Sequence, residues 1–185
     1  MMNEKNVMVN EKRAHISSIE EREGENSRWF FQNLMQIHAT GETTNGKYFM
    51  AELSAPVGDE PPLHSHPNEE EAFYVLEGQM TVWVGDEEPI VLNKGDYAFL
   101  PRDVPHIYKV TSQIEARWLG IISPAKADGF EGFVREISSP AEKQTLPLAL
   151  SPPTPEEMKK MSKIGEKYGI EFLGPPGARP ADLNK

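Results

Sequence analysis

The feature that most limits the fold is a rhythm of short runs between residues 27 and 123. The runs are Trp29–His38, Lys47–Ser54, Ala72–Leu76, Met80–Val84, Ile90–Leu92, Tyr97–Leu100, His106–Val110 and Ile114–Ile122. They are rich in Val, Ile, Phe, Tyr and Trp, side chains that suit a pleated, half-buried surface. Asn45-Gly46, Glu77-Gly78, Gly85-Asp86, Asn93-Lys94-Gly95 and Pro101-Arg102-Asp103 fall between runs and favour turns. Eight short strands joined this closely predict an all-β sandwich or barrel.

The pattern changes on either side. Residues 1–26 are polar, with mixed charge, and read as an N-terminal arm, either mobile or reaching a neighbouring subunit as an edge strand. Residues 124–185 read as a helical C-terminal extension. Phe130, Phe133, Val134 and Ile137 follow a helical period, and Asp128 with Glu131 fits a capping box at its start. A second helix begins at Thr154-Pro155-Glu156-Glu157, with Met158, Met161, Ile164 and Tyr168 as its apolar stripe and Gly169 as its stop. Between the helices, residues 139–153 read as an extended connection. Residues 174–185 are rich in Pro and Gly and read as loose toward the end.

Composition removes several functions. The chain of 185 residues carries a formal net charge of -10, which opposes phosphate backbones and anionic lipid surfaces. Neither nucleic acid nor membrane is an expected partner. No run approaches the roughly 20 apolar residues of a membrane span, and no signal peptide is evident, so a cytoplasmic location is expected. There are no cysteines, which excludes disulfides, thiolate metal sites and cysteine nucleophiles.

Five histidines carry most of the remaining chemistry. His64 and His66 are separated by one residue, and alternate residues of a strand share a face. Glu71 follows just before a strand, and His106 starts another. Three neutral imidazoles and a carboxylate suit a borderline divalent ion. An octahedral ion would keep two positions open, as catalytic sites do. Glu69 and Glu70 compete with Glu71 for the carboxylate role. His15 and His38 read as ordinary surface or core residues.

At these residues the sequence resembles the cupin superfamily. The first cupin motif, G-x5-H-x-H-x3,4-E-x6-G, reads Gly58-DEPPL-His64-S-His66-PNEE-Glu71-AFYVLE-Gly78. The interval to Gly78 selects Glu71, whereas Glu70 suits the shorter form of the first interval. The second motif, G-x5-P-x-G-x2-H-x3-N, reads Gly95-DYAFL-Pro101-R-Asp103-VP-His106-IYK-Val110. Asp103 and Val110 depart from it at non-ligand positions, and Asp103 accepts a positive φ less easily than Gly. The resemblance implies a jelly-roll barrel over residues 27–123. It implies one divalent ion per chain (Mn, Fe, Co, Ni, Cu or Zn) on His64, His66, Glu71 and His106, and a homodimer.

The wider chain resembles the single-domain cupins related to quercetin 2,3-dioxygenase. That likeness implies a dioxygenase acting on a flavonol or other enolisable aromatic substrate with O2. In it, Glu71 takes the substrate's hydroxyl proton and the ring opens with loss of carbon monoxide. A metal-dependent isomerase or lyase on a small metabolite, or a cupin that binds a small molecule without chemistry, are the alternatives. Strand parity puts Phe73 and Val75 on the face of Glu71, and Tyr108 on that of His106. Tyr108 is either a donor behind the metal site or a packed residue. The helix from Phe130 to Ile137 could lid the barrel mouth.

Overall fold

The computed structural model describes residues 14–18, 24–147 and 154–184. Its alternating runs form strands β1 (Ser27–Phe30), β2 (Asn33–Ala39), β3 (Phe49–Ala55), β4 (Leu63–Ser65), β5 (Glu70–Glu77) and β6 (Gln79–Val84). These are followed by β7 (Ile90–Asn93), β8 (Tyr97–Leu100), β9 (His106–Val110) and β10 (Ala116–Ser123). Helix α1 (Phe130–Ile137), strand β11 (Ser139–Pro140), helix α2 (Pro155–Lys167) and strand β12 (Glu171–Gly174) complete the order. One sheet runs β11-β1-β2-β3-β10-β5-β8, the other β12-β4-β9-β6-β7, and all their pairings are antiparallel.

This is the expected all-β jelly roll. The period of two is plainest on β10, where Ala116, Trp118, Gly120 and Ile122 are buried and the residues between them are half-buried. Met35, Phe49, Phe73, Val82, Leu100 and Trp118, drawn from both sheets, share one core.

Four expectations need correcting. The run Trp29–His38 is two strands, because Phe31 takes φ 55 and turns the chain between β1 and β2. No Gly or Pro marks that turn. The predicted Asp128 cap does not form: Gly129 is the N-cap of α1 and makes no side-chain capping bond. Glu131 instead accepts from the Gly41 amide, 2.8 Å away. Residues 139–140 pair with β1, and the stretch from 174, read as loose toward its end, starts in strand β12, where Gly174 pairs with Leu63 of β4. Arg179 beyond β12 lies 3.9 Å from the Trp83 ring centroid and ion-pairs with Glu60. These two additions, the split run and the short β4, which lies outside the eight runs, bring the strands among the described residues to twelve, against eight expected. Part of the 139–153 connection, residues 148–153, lies outside the described residues, as does most of the 1–26 arm.

The second helix forms as read. Thr154 and Glu157 close a reciprocal capping box and Pro155 opens the helix. Met161, Ile164 and Tyr168 pack on the core.

Gly78 joins β5 to β6 at φ 75, and a Cβ there would sit 2.8 Å from the Glu115 carbonyl oxygen and 2.9 Å from Ala116 Cα. Both contacts are backbone, so neither can swing away. Gly78→Ala is therefore expected to cost about 2 kcal/mol or more, read as a lowered midpoint in urea denaturation.

Candidate metal centre

The site is built where the two sheets meet. On β4 and β9, His64 and His106 stand directly opposite each other in register. Glu71 comes from β5 in the other sheet, opposite both Leu100 and Ile122. His66 follows β4 and is 1% exposed. One ligand-type atom from each of His64, His66, Glu71 and His106 lies within 4.8 Å of the others. The sequence expectation that these four residues meet is thus met in space, and the cluster could hold a metal ion.

Their orientation has an identifiable cause. His64 Nδ1 donates to the Pro62 carbonyl at 2.8 Å, and His106 Nδ1 donates to the Val104 carbonyl at 2.9 Å. A carbonyl only accepts, so each ring donates from Nδ1 and turns Nε2 toward the cluster. Such a bond fixes both tautomer and ring direction. Burial drives the pKa of His64 down to about 3, with His106 and His66 adding to the effect. Burial, helped by His106, likewise drives His66 down to about 3. Both rings are neutral at physiological pH.

The donor set fits a cation. His106 Nε2 lies 3.1 Å from Glu71 Oε2, at hydrogen-bond distance. Both ring nitrogens of His66 are buried without a hydrogen-bond partner, with Nε2 3.7 Å from Glu71 Oε2. A buried carboxylate beside the neutral rings of His64 and His66, the latter with no hydrogen-bond partner, is unfavourable until a positive centre lies between them.

The three neighbouring acids have separate fates. Glu71 turns into the cluster. Glu70 turns outward, accepting from the Arg102 amide at 2.7 Å and from Arg102 Nε at 2.6 Å, which removes it as a competing donor. Glu69 is buried, and its two oxygens accept from the Phe130 amide at 3.1 and 3.0 Å. It does for α1 what Asp128 does not, and the absent Cβ of Gly129 leaves it room. Its Oε2 also lies 3.8 Å from His66 Nδ1, and burial pushes its pKa up to about 7. The interval to Gly78 in the cupin motif picks out Glu71, but nothing in the run itself separates the fates of Glu69 and Glu70. His15 and His38 lie apart from the cluster; His15 Nε2 donates to the His38 carbonyl, and His38 Nε2 is 3.8 Å from Glu52.

Asp103 keeps the turn that the motif's glycine would make, at φ 62, and its amide donates to the His66 carbonyl at 3.2 Å. Residues 51–122 match the model of the cupin domain. These residues form a cupin domain. Over 114 residues the chain is 34% identical to quercetin 2,3-dioxygenase of Bacillus subtilis, covering 62% of this chain and 32% of that protein. The chain therefore spans about a third of the length of that curated relative. Among solved structures, ectoine synthase from P. lautus aligns over 74% of this chain and 94% of its own, at 18% identity and TM-score 0.56. A cupin from Shewanella frigidimarina aligns over 63% of this chain and 96% of its own, at 24% identity and TM-score 0.51. At these identities the two structures speak to the fold alone.

The cupin cluster opens on a cavity of about 60 Å³. Phe30, Phe49, Phe73, Phe130, Phe133 and Phe172 supply much of its wall, with His64, His66, Glu71 and Tyr108 as its polar members besides Trp118. Among the described residues, no Lys or Arg lines it. Phe130 and Phe133 come from α1, which is thereby part of the roof. Phe172 comes from β12, opposite His64 in register, and was not foreseen as part of the site. The alternation of Ile170, Phe172 and their polar neighbour Glu171 was the available signal.

Tyr108 is not a donor to the cluster. Its hydroxyl donates to Asp59 Oδ2 at 2.9 Å and accepts from Asn33 Nδ2 at 3.0 Å. Burial lifts the Asp59 carboxyl from 3.8 to about 6, with Glu60 adding to the rise and the Tyr108 and Asn33 hydrogen bonds opposing it. Below pH 6 the folded protein binds a proton here that the unfolded chain does not take until pH falls near 3.8. This group's contribution to stability therefore grows as pH falls from 6 and is lost as pH rises through 6. Relative to Asp59→Asn, the wild type is expected to gain about 1 kcal/mol between pH 7 and pH 5, measured by urea denaturation of both at each pH.

Proposed function

We propose that this cupin is a metal-dependent dioxygenase that opens a flavonol or similar enolisable aromatic substrate with O2. The observation that carries the reading is an aromatic cavity, free of Lys and Arg, that ends on the three-histidine, one-glutamate cluster. A small polar metabolite, as an isomerase or lyase would take, would find almost no polar groups there besides the cluster. The likeness to quercetin 2,3-dioxygenase supports the same choice.

In this reading His64, His66, Glu71 and His106 hold one divalent ion. When bound, that ion supplies positive charge for an enolate and a template for two reactants. Glu71 accepts the substrate's hydroxyl proton on Oε2, the oxygen that faces His106. The phenylalanine walls stack on a flat ring system and exclude water. In the net reaction both atoms of O2 enter the product and carbon monoxide leaves. The reading also requires the roof to lift, since drug-sized ligands occupy pockets of roughly 300–1,000 Å³. A homodimer belongs to the same proposal, by family resemblance.

Apoprotein loaded in turn with Mn, Fe, Co, Ni, Cu and Zn, then given quercetin in air, is expected to bleach the flavonol and consume oxygen with at least one metal. If no metal supports either change, the dioxygenase reading fails. Quercetin that binds without turnover would instead indicate a binding cupin.

Metal content separates the site from the reaction. His64→Ala and His106→Ala are each expected to lower metal occupancy at least tenfold, a loss at the scale seen for weakened metal shells. Glu70→Ala is expected to keep it. Full retention in both histidine variants would refute the ligand set.

A further inference from the structure

We infer that Trp118 Nε1–H recognises an oxygen at the end of the substrate remote from the metal cluster. The substrate is then an elongated aromatic molecule with oxygens at both ends. This inference rests on the reading of the cavity as the pocket of a flavonol-like substrate.

Trp118 lines the cavity and is 1% exposed, yet its Nε1 is buried with no hydrogen-bond partner. The indole of Trp29, by contrast, donates to the Thr145 carbonyl at 2.9 Å. Buried donors almost always find a partner, because leaving water without one is costly. The immediate neighbours do not offer one. Phe73 and Tyr108 pack against the indole edge-on, at 6.2 and 5.1 Å between ring centroids. The hydroxyl of Tyr108, whose ring packs on the indole, already serves Asp59 and Asn33.

Strand register places this donor relative to the metal cluster. On β10, Ile122 stands opposite Glu71, Gly120 opposite Phe73 and Trp118 opposite Val75. All three β10 residues line the cavity. Trp118 thus lies four residues along the strand from the level of Glu71, roughly 13 Å at the usual rise. The stretch between them is walled by Phe49, Ala51, Leu53, Phe73 and Gly120. A molecule gripped at the metal end by one pair of oxygens, with apolar rings along this stretch, would bring a second oxygen to the indole.

Two flavonols separate this from simple packing. Quercetin and 3-hydroxyflavone share the oxygens expected at the metal, but only quercetin carries hydroxyls on its outer rings. Indole N–H resonances of 15N-labelled, zinc-loaded wild type are assigned by elimination with Trp29→Phe and Trp83→Phe. The Trp118 resonance is expected to move downfield with quercetin and much less with 3-hydroxyflavone. Trp118→Phe is expected to weaken quercetin binding about tenfold, the scale of one hydrogen bond, and to leave 3-hydroxyflavone within about twofold. Equal shifts with both flavonols, or an unmoved resonance while quercetin binds, overturns the inference and leaves the dioxygenase reading standing. Failure of the wild type to bind either flavonol overturns both.

Discussion

Four polar side chains stand in an apolar interior, and their burial governs the rest of the molecule. A buried carboxylate and buried ring nitrogens without partners, as in His66, are unfavourable in isolation. The barrel nevertheless holds them there, with two rings pinned by carbonyls two residues upstream. The sheets do this because their registers are specified by hydrophobic faces. A slip of one residue on β4 or β9 would turn a histidine out of the barrel and expose core side chains. The same apolar packing that makes the fold stable therefore also aims the ligands.

The segment after the barrel serves the same end. Helix α1 brings Phe130 and Phe133 over the cavity, and β12 brings Phe172 beside the strand that carries His64. The aromatic character of the pocket is thus partly supplied from outside the strands that carry the ligands. The candidate ligand cluster sits on strands within the matched cupin domain, and part of the wall comes from elements that follow it.

The barrel and its ligands were legible because both depend on local pattern. Alternation marks strand faces, and the interval from Glu71 to Gly78 distinguishes one acid from its neighbours. What stayed hidden depends on tertiary contacts. Phe31 turns the chain at a positive φ that no residue type announces. Asp128 looks like a cap, but Glu69, distant in sequence, reaches the helix end instead. The orphaned indole of Trp118 looks like any core tryptophan until its surroundings are known. Asp103 is an instructive intermediate case, since it breaks the motif and still adopts its backbone.

Glu69, Glu70 and Glu71 face a helix end, a surface arginine and the metal cluster. Three like residues in three directions leave this stretch no freedom in length. Removing one acid would leave a sequence that still looks acidic and still looks like a cupin. Yet each remaining carboxylate would be shifted by one pleat, and a helix anchor, a surface pair or a ligand would be lost. Substitutions here can be graded, whereas insertions and deletions cannot. In this chain a substitution among the wall residues reshapes the pocket and leaves the cluster in place, whereas a change in the spacing between His66 and Glu71 costs one of these three contacts.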